Sequence, residues 1–545
     1  MIQLNFKVRA TLLPLLMLLG TTIYAQLPNV ILGRPTDSAI TVSVMFSQAS
    51  ECYVEYGTQS GLYVYSSSQK SLAAKIPEEI DLNGLVPNTK YYYRIESRPT
   101  GSGTFQPSAE YHFTTQRQPG TSFTFTLEAD EHLYDKKGVD NMYRVTLENQ
   151  AADHPDFMLS LGDIFGDDHN PLTTTFHDMD SLHYSYRPFL GAVCHSIPFY
   201  ICLGNHEGEN NYYYSITPPN NICVYGTLSR KQYFPNPYPN HFYSGDTVSE
   251  PYGIGQPENY FSWEWGDALF VVLDVYRYEC DTSPKPQKWD WTLGAAQYNW
   301  LKHTLENSTS KYKFVFAHHI RGQGRGGITN ATQFEWGGID GGQNKFAQYR
   351  PNFAKPIHQL FLDNGVNIFF QGHDHVFAHE ILDGITYQSL PMAADSTYEI
   401  GMLANADAYT SDTLDGTGHL RVTVNPNCVT VDYVRAYLPK DTLSGIHHNG
   451  EVAFSYTLGA CGASSVEEPE TPTAKVFPNP ANTQLHIVIP KTIRNTNFHL
   501  MNSIGETLLK SDQAELHIDQ VPDGFYILQI TGENFNENQK IWIRH

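Results

Sequence analysis

The spacing of apolar positions changes along the chain, and each change marks a different kind of element. From 26 to 117 they recur every second residue, as in Ile40, Val42, Val44 and Phe46 and again in Tyr91, Tyr93 and Ile95, with turn residues such as Pro87-Asn88-Thr89 between runs. That period puts alternate side chains on one face and predicts a small antiparallel β-sandwich. From 118 to 460 short continuous apolar runs, rich in β-branched and aromatic residues, alternate with helical stretches. Such runs predict strands buried on both faces, hence an α/β domain of layered β-sheets flanked by helices. Within it 297–305 reads as a helix ahead of the strand at 313–317, and 419–438 as a hairpin closing the sheet. Residues 461–473, rich in Pro, Glu, Ser and Thr, carry no hydrophobic period and read as a linker. Strand-like runs broken by Pro and Gly fill 474–545 and predict a second, smaller β-sandwich.

The first 25 residues have the order of a secretory signal peptide: Lys7 and Arg9, then an apolar run ending at Ala25. A bilayer span needs about 20 apolar residues, and no later stretch is long enough. With 41% hydrophobic and 17% charged residues the rest has the composition of a folded globular protein. Its 35 Lys+Arg against 57 Asp+Glu give a formal charge of -22, which argues against a nucleic-acid backbone or an anionic membrane as main partner. An anionic substrate would need local cations, which bound metal ions could supply. The 7 cysteines are too few for a disulfide scaffold, and the odd count leaves at least one unpaired.

Five apolar runs of the central region end in metal-ligand residue types. The first delivers Asp130 and His132, the second Asp163, the third Asn205 and His206, the fourth His318 and His319, and the fifth His373 and His375. Groups at the carboxyl ends of parallel strands converge on one crevice, so these distant residues are predicted to meet. Alternate residues on a strand end share a face, which pairs His373 with His375 and turns Asp374 elsewhere. The same alternation forces a choice between His318 and His319. Arg321 and Arg325, on a glycine-rich loop after the fourth run, are candidates for holding a phosphate oxygen or a substrate carboxylate, a solvated loop being the competing reading. The Tyr-, Asn- and Pro-rich segment 207–257 is expected to overhang the crevice.

In order, Asp-x-His, Gly-Asp, Gly-Asn-His-Glu, a lone His and Gly-His-x-His resemble the calcineurin-like metallophosphoesterase family, and ENYFSWEWGDALFVVLD (258–274) is most similar to its purple acid phosphatase branch. The segment 81–98 resembles the fibronectin type III pattern, in which a tyrosine after the turn bonds back to the chain. Phe477–Ala481, Ser503–Glu506 and Pro522–Ile530 resemble the C-terminal sorting domain of proteins exported by the bacterial type IX route. These likenesses imply a signal peptide (1–25), a fibronectin type III-like domain (26–117), a metallophosphoesterase domain (118–460), a linker (461–473) and a sorting domain (474–545). They imply one metal on Asp130, His132, Asp163 and His375 and another on Asp163, Asn205, His318 and His373, with Asp163 bridging; motif position favours His318 over His319. Imidazoles with carboxylates and an amide oxygen suit two divalent or trivalent ions of the Fe, Mn or Zn type. His206 would assist the leaving group. The purple branch has a tyrosine where this chain has Gly166 and lacks a histidine where it has His132, which predicts a colourless dinuclear site. The implied function is an exported phosphate monoesterase acting by metal-activated water attack, with a phosphodiesterase or nucleotidase as alternative. The competing class is a non-catalytic cell-surface binding protein that retains the fold. The implied partners are a phosphate ester and the type IX machinery.

Overall fold

A computed structural model describes residues 27–166, 170–278, 288–320, 325–400, 408–409, 412–461, 474–489, 494, 496–502, 506–532 and 535–545. The expected signal peptide, the expected linker beyond Cys461, Arg321 and Cys280 lie outside the described residues. The chain divides into two units, Met1–Cys461 and Gly462–His545.

The core of the first unit lies between two sheets. One is six-stranded, in the order Phe199–Ile201, Phe157–Ser160, Phe123–Glu128, Gly418–Asn425, Cys428–Arg435 and Val452–Gly459. Its first three strands run parallel and the rest antiparallel. The other is eight-stranded, and its centre is a parallel set of Ala268–Val272, Tyr312–Phe316, Ile368–Gln371 and Ile385–Ser389. Alternate residues of each strand fill the space between the sheets, Phe125 and Leu127 from one meeting Phe270, Phe314, Phe316 and Phe370 from the other. The opposite faces are covered as well. Val271, Val315 and Phe369 pack under the helices Gly294–Asn307 and Ile357–Asp363, while Met158, Phe199 and Ile201 pack under Asp140–Ala152 and Phe176–Leu190. Burial on both faces is why these strands read as unbroken apolar runs. The hairpin expected to close its sheet is continued by Val452–Gly459, which forms the edge and is cross-linked to its neighbour by the Cys428–Cys461 disulfide. Cys52, Cys194, Cys202 and Cys223 are buried free thiols.

Residues 29–114 form antiparallel sheets around Val42, Val44, Val54, Tyr93 and Ile95. Within the segment 81–98 the Tyr91 hydroxyl accepts the Val86 N–H at 3.0 Å. These sheets belong to the same unit as the central layers. Arg187, fully buried in the helix Phe176–Leu190, donates to Ser43 O at 3.1 Å and Asn29 Oδ1 at 2.9 Å, and Tyr93 donates to His195 O at 2.6 Å.

The second unit pairs a three-stranded sheet (Lys475–Phe477, Gln484–Val488, Glu515–His517) with a four-stranded one (Asn497–Met501, Thr507–Ser511, Gly524–Gly532, Phe535–Ile543) around Leu485, Phe498, Leu500, Leu528 and Ile530. Among the described residues no helix is long and apolar enough to cross a membrane.

Candidate metal centre

Five loops leave the carboxyl ends of parallel strands in the two sheets. They carry Asp130 and His132 after Phe123–Glu128, Asp163 after Phe157–Ser160, Asn205 and His206 after Phe199–Ile201, His318 after Tyr312–Phe316, and His373 and His375 after Ile368–Gln371. Their side chains converge. His132 Nε2 stands 3.0 Å from His375 Nε2, and Asp130 Oδ1 lies 3.5 Å from His375 and 3.9 Å from both His132 and His318. His318 Nε2 lies 3.1 Å from His373 Nδ1 and 3.1 Å from Asp163 Oδ2, which is also 4.0 Å from His132 and 3.7 Å from His206 Nε2. Three overlapping donor groups result: Asp130 with His132 and His375, Asp163 with His318 and His373, and Asp163 with His132 and His206.

The backbone departs from the expected pleat. Asp130, His132, Asp163, His373 and His375 lie beyond the strand ends with φ of 55°, 48°, 59°, 66° and 57°, all in the left-handed region. The paired histidines therefore share a direction because the chain turns between them, not because a strand alternates. A non-glycine residue in that region costs roughly 1 kcal/mol or more, and such outliers persist where the surroundings over-determine them. Hydrogen bonds supply that constraint here. Asp130 Oδ2 accepts the His373 N–H at 2.8 Å, and Asp163 Oδ1 accepts the His206 N–H at 2.9 Å. Asp374, between the histidines, is buried and accepts the Gly326 N–H at 2.6 Å and the Tyr409 hydroxyl. Glu207, also buried, accepts the backbone N–H groups of Asp163, Ile164, Phe165 and Gly204.

His318 and His319 face different partners. His318 donates Nδ1–H to Leu161 O at 2.7 Å, which turns its Nε2 toward Asp163 and His373. His319 places Nδ1 3.0 Å from the Tyr276 hydroxyl and stacks on His373 with ring centroids 4.0 Å apart. Asn205 follows Gly204, where a Cβ would lie 2.2 Å from Asp163 Oδ1, so only glycine lets this loop pass the carboxylate. His206 keeps 17% of its side chain exposed, at the open side of the cluster. Arg325 donates to the carbonyl of His373 and stands 3.7 Å from Asp374, so it braces the turn that carries both histidines.

The electrostatics fit a cation. Burial opposes ionisation of Asp163, yet the facing His318 and His206 hold its carboxyl well below the usual range. Burial likewise opposes charging His318, but Asp163 and Asp130 raise it to about 9. Glu207 is pushed up to about 7 by burial and by the charge of Asp163. Asp130 Oδ1, fully buried, receives no hydrogen bond among the described residues although three imidazoles surround it. Two pairs of imidazole nitrogens stand nose to nose at 3.0 and 3.1 Å. That donor set suits borderline metal ions bound by nitrogen and carboxylate oxygen.

Several contributors escaped the sequence. Glu207 adjoins the Gly-Asn-His motif, but its role depends on where the Asp163 loop folds back. Tyr134 and Asp135, both beside His132 Nδ1, carried no periodic or charge signal.

Residues 123–377 match the calcineurin-like phosphoesterase family, and residues 475–544 match the secretion system C-terminal sorting domain. No curated protein sequence matches the chain. Among solved structures, PhoD is similar at a TM-score of 0.56 with 16% identity over 80% of this chain and 91% of that one. Purple acid phosphatase PPD1 from yellow lupin (Lupinus luteus) seeds is similar at 0.55 with 16% identity over 80% of this chain and 74% of its own. At such identity these likenesses speak for the fold. The family match covers the parallel strands that lead into the loops bringing Asp130, Asp163, His318 and His373 together, so residues 123–377 are a calcineurin-like phosphoesterase domain, followed by a secretion system C-terminal sorting domain at 475–544.

Proposed function

We propose that the protein is an exported, metal-dependent phosphoesterase that hydrolyses phosphate monoesters at a two-ion centre. The observation that carries this is the adjacency of two imidazole–carboxylate groups, Asp130/His132/His375 and Asp163/His318/His373, with Asp163 also facing His132. Asp163 would serve both ions, Asn205 would add its amide oxygen beside His318 and His373, and Asp130, His132 and His375 would complete the other set. Ions of the Fe, Mn or Zn type held there would supply positive charge to a phosphoryl oxygen and acidify water.

The remaining work belongs to the chain. His206, partly exposed beside Asp163, donates a proton to the departing oxygen. The carboxylates orient His132, His318 and His375 and offset their charge. Arg325 holds the His373–His375 turn, and we assign it phosphate contact as a second role, shared with Arg321. The sorting domain implies passage through the type IX route, and the Cys428–Cys461 disulfide accords with an oxidising destination. The fibronectin type III-like role of 26–117 and the signal peptide at 1–25 are part of the same proposal.

Elemental analysis of the purified protein, run beside aryl monoesters and aryl diesters, tests the reading. Two equivalents of metal and preference for monoesters support it. Preference for diesters moves the substrate class, and a folded, metal-free, inactive protein establishes the binding-protein alternative instead.

A further inference from the structure

Tyr134 lies two residues past His132, and none of the chemistry above uses it. Its hydroxyl stands 2.9 Å from Nδ1 of His132, the nitrogen opposite the one that faces His375 and Asp130. Asp135 Oδ2 approaches the same nitrogen at 3.3 Å. If Nε2 of His132 is to face a cation, the single proton of the neutral ring must sit on Nδ1, and oxygen acceptors there hold it in place. The Tyr134 backbone N–H donates to the Tyr186 hydroxyl at 3.1 Å, which fixes where the side chain starts. From there the ring runs past both histidines, its centroid 5.4 Å from that of His132 and 5.7 Å from that of His206.

Gly166 explains how the ring fits. A Cβ there would lie 2.7 Å from Cζ of Tyr134 and 2.8 Å from Cβ of His206. Gly166 is not among the residues with positive φ, so its backbone does not demand glycine; the space does. Even a methyl group must move the phenol ring or the imidazole. A tyrosine from the His132 loop thus occupies room that the Asp163 loop leaves open.

We propose that Tyr134 is a positioning residue of the centre: its hydroxyl locks His132 in the Nδ1–H tautomer, and its ring forms the wall against which His206 rests. The proposal rests on the metal reading above. It is tested on the full chain stripped of metal and titrated with Zn(II) in competition with a chelator. Tyr134→Phe is expected to weaken one of two zinc sites by about tenfold or more, the range found for partners of ligating histidines, while the other site and the melting temperature of the metal-free protein hold. Gly166→Ala, which displaces the same ring from its other side, is expected to weaken the same site. In a His132→Ala background Tyr134→Phe should have no further effect, because the two act as one unit. Wild-type zinc affinity at both sites in folded Tyr134→Phe, or an undiminished effect in the His132→Ala background, overturns the proposal. A wild-type chain that takes up no zinc overturns the metal reading and this proposal with it.

Discussion

Replacing Glu207 with glutamine should loosen the loop that carries Asp163. The carboxylate is 1% exposed and gathers four backbone donors: Oε1 accepts Ile164 N–H at 2.7 Å and Phe165 N–H at 3.2 Å, while Oε2 accepts Asp163 N–H at 3.1 Å and Gly204 N–H. Glutamine keeps one acceptor oxygen and turns the other into a donor. Whichever way the amide faces, two buried N–H groups then meet N–H. Leaving a buried donor unsatisfied costs about 1–3 kcal/mol, so the pair costs about 4 kcal/mol. Removing a negative charge beside Asp163 returns on the order of 1 kcal/mol, leaving a net loss of about 3 kcal/mol. Since each 1.4 kcal/mol is tenfold, local opening becomes about a hundredfold more frequent. Hydrogen exchange read by mass spectrometry on the metal-free chain at pH 8, above the value of about 7 to which Glu207 is raised, measures this directly. Amides 163–165 should exchange about a hundredfold faster while the strand Phe157–Ser160 keeps its protection. Unchanged protection at 163–165 in a folded variant would refute the claim that Glu207 holds the loop.

Other outcomes follow from features elsewhere in the site and the fold. His206→Ala should lower kcat for alkyl monoesters by roughly 10²–10⁴, with a far smaller loss on nitrophenyl esters, whose leaving group needs no proton; equal losses on both would show that His206 does not protonate the leaving oxygen. His183 is buried against Phe165 and burial holds it down at about 4, so the unfolded chain takes up its proton near pH 6.5 and the folded chain does not. Stability should therefore be full above pH 6.5 and fall by about 1.4 kcal/mol per unit below it, to a total near 3 kcal/mol at pH 4; denaturant titrations should show this slope reduced in His183→Gln, and an unchanged slope counts against it. Cys461→Ser opens a 33-residue separation and should cost about 3–4 kcal/mol of stability in the first unit, seen as a lower denaturation midpoint. With the hydroxyl of Tyr134 directed at an imidazole, the metal-loaded protein should show no visible phenolate band, which an absorption spectrum checks.

The strands and the residue types at their ends were legible because burial on both faces leaves a continuous apolar run, and the first polar residue after it marks the crevice. That logic placed Asp130, Asp163, His318 and His373 in loops that the structure brings together. It failed on how the paired histidines are aimed, since Asp130, His132, Asp163, His373 and His375 adopt the left-handed region and the apolar pattern does not announce it. Contacts made by loops folding back on one another were invisible for the same reason: Glu207 under the Asp163 loop, Arg325 on the His373 carbonyl, and Tyr134 over Gly166. Texture also shifted at 117 without a matching break in contacts, because Arg187 reaches from the central helix into the β-sheets before it.

The Cys428–Cys461 cross-link sits where the first unit ends. An edge strand is the easiest part of a sheet to peel, and here the last edge strand of the first unit is Val452–Gly459. The covalent stop ties the end of that strand to Cys428 of the neighbouring strand, so the ladder cannot open from this end one rung at a time. The layered sheets are in this way guarded at the edge where fraying would start.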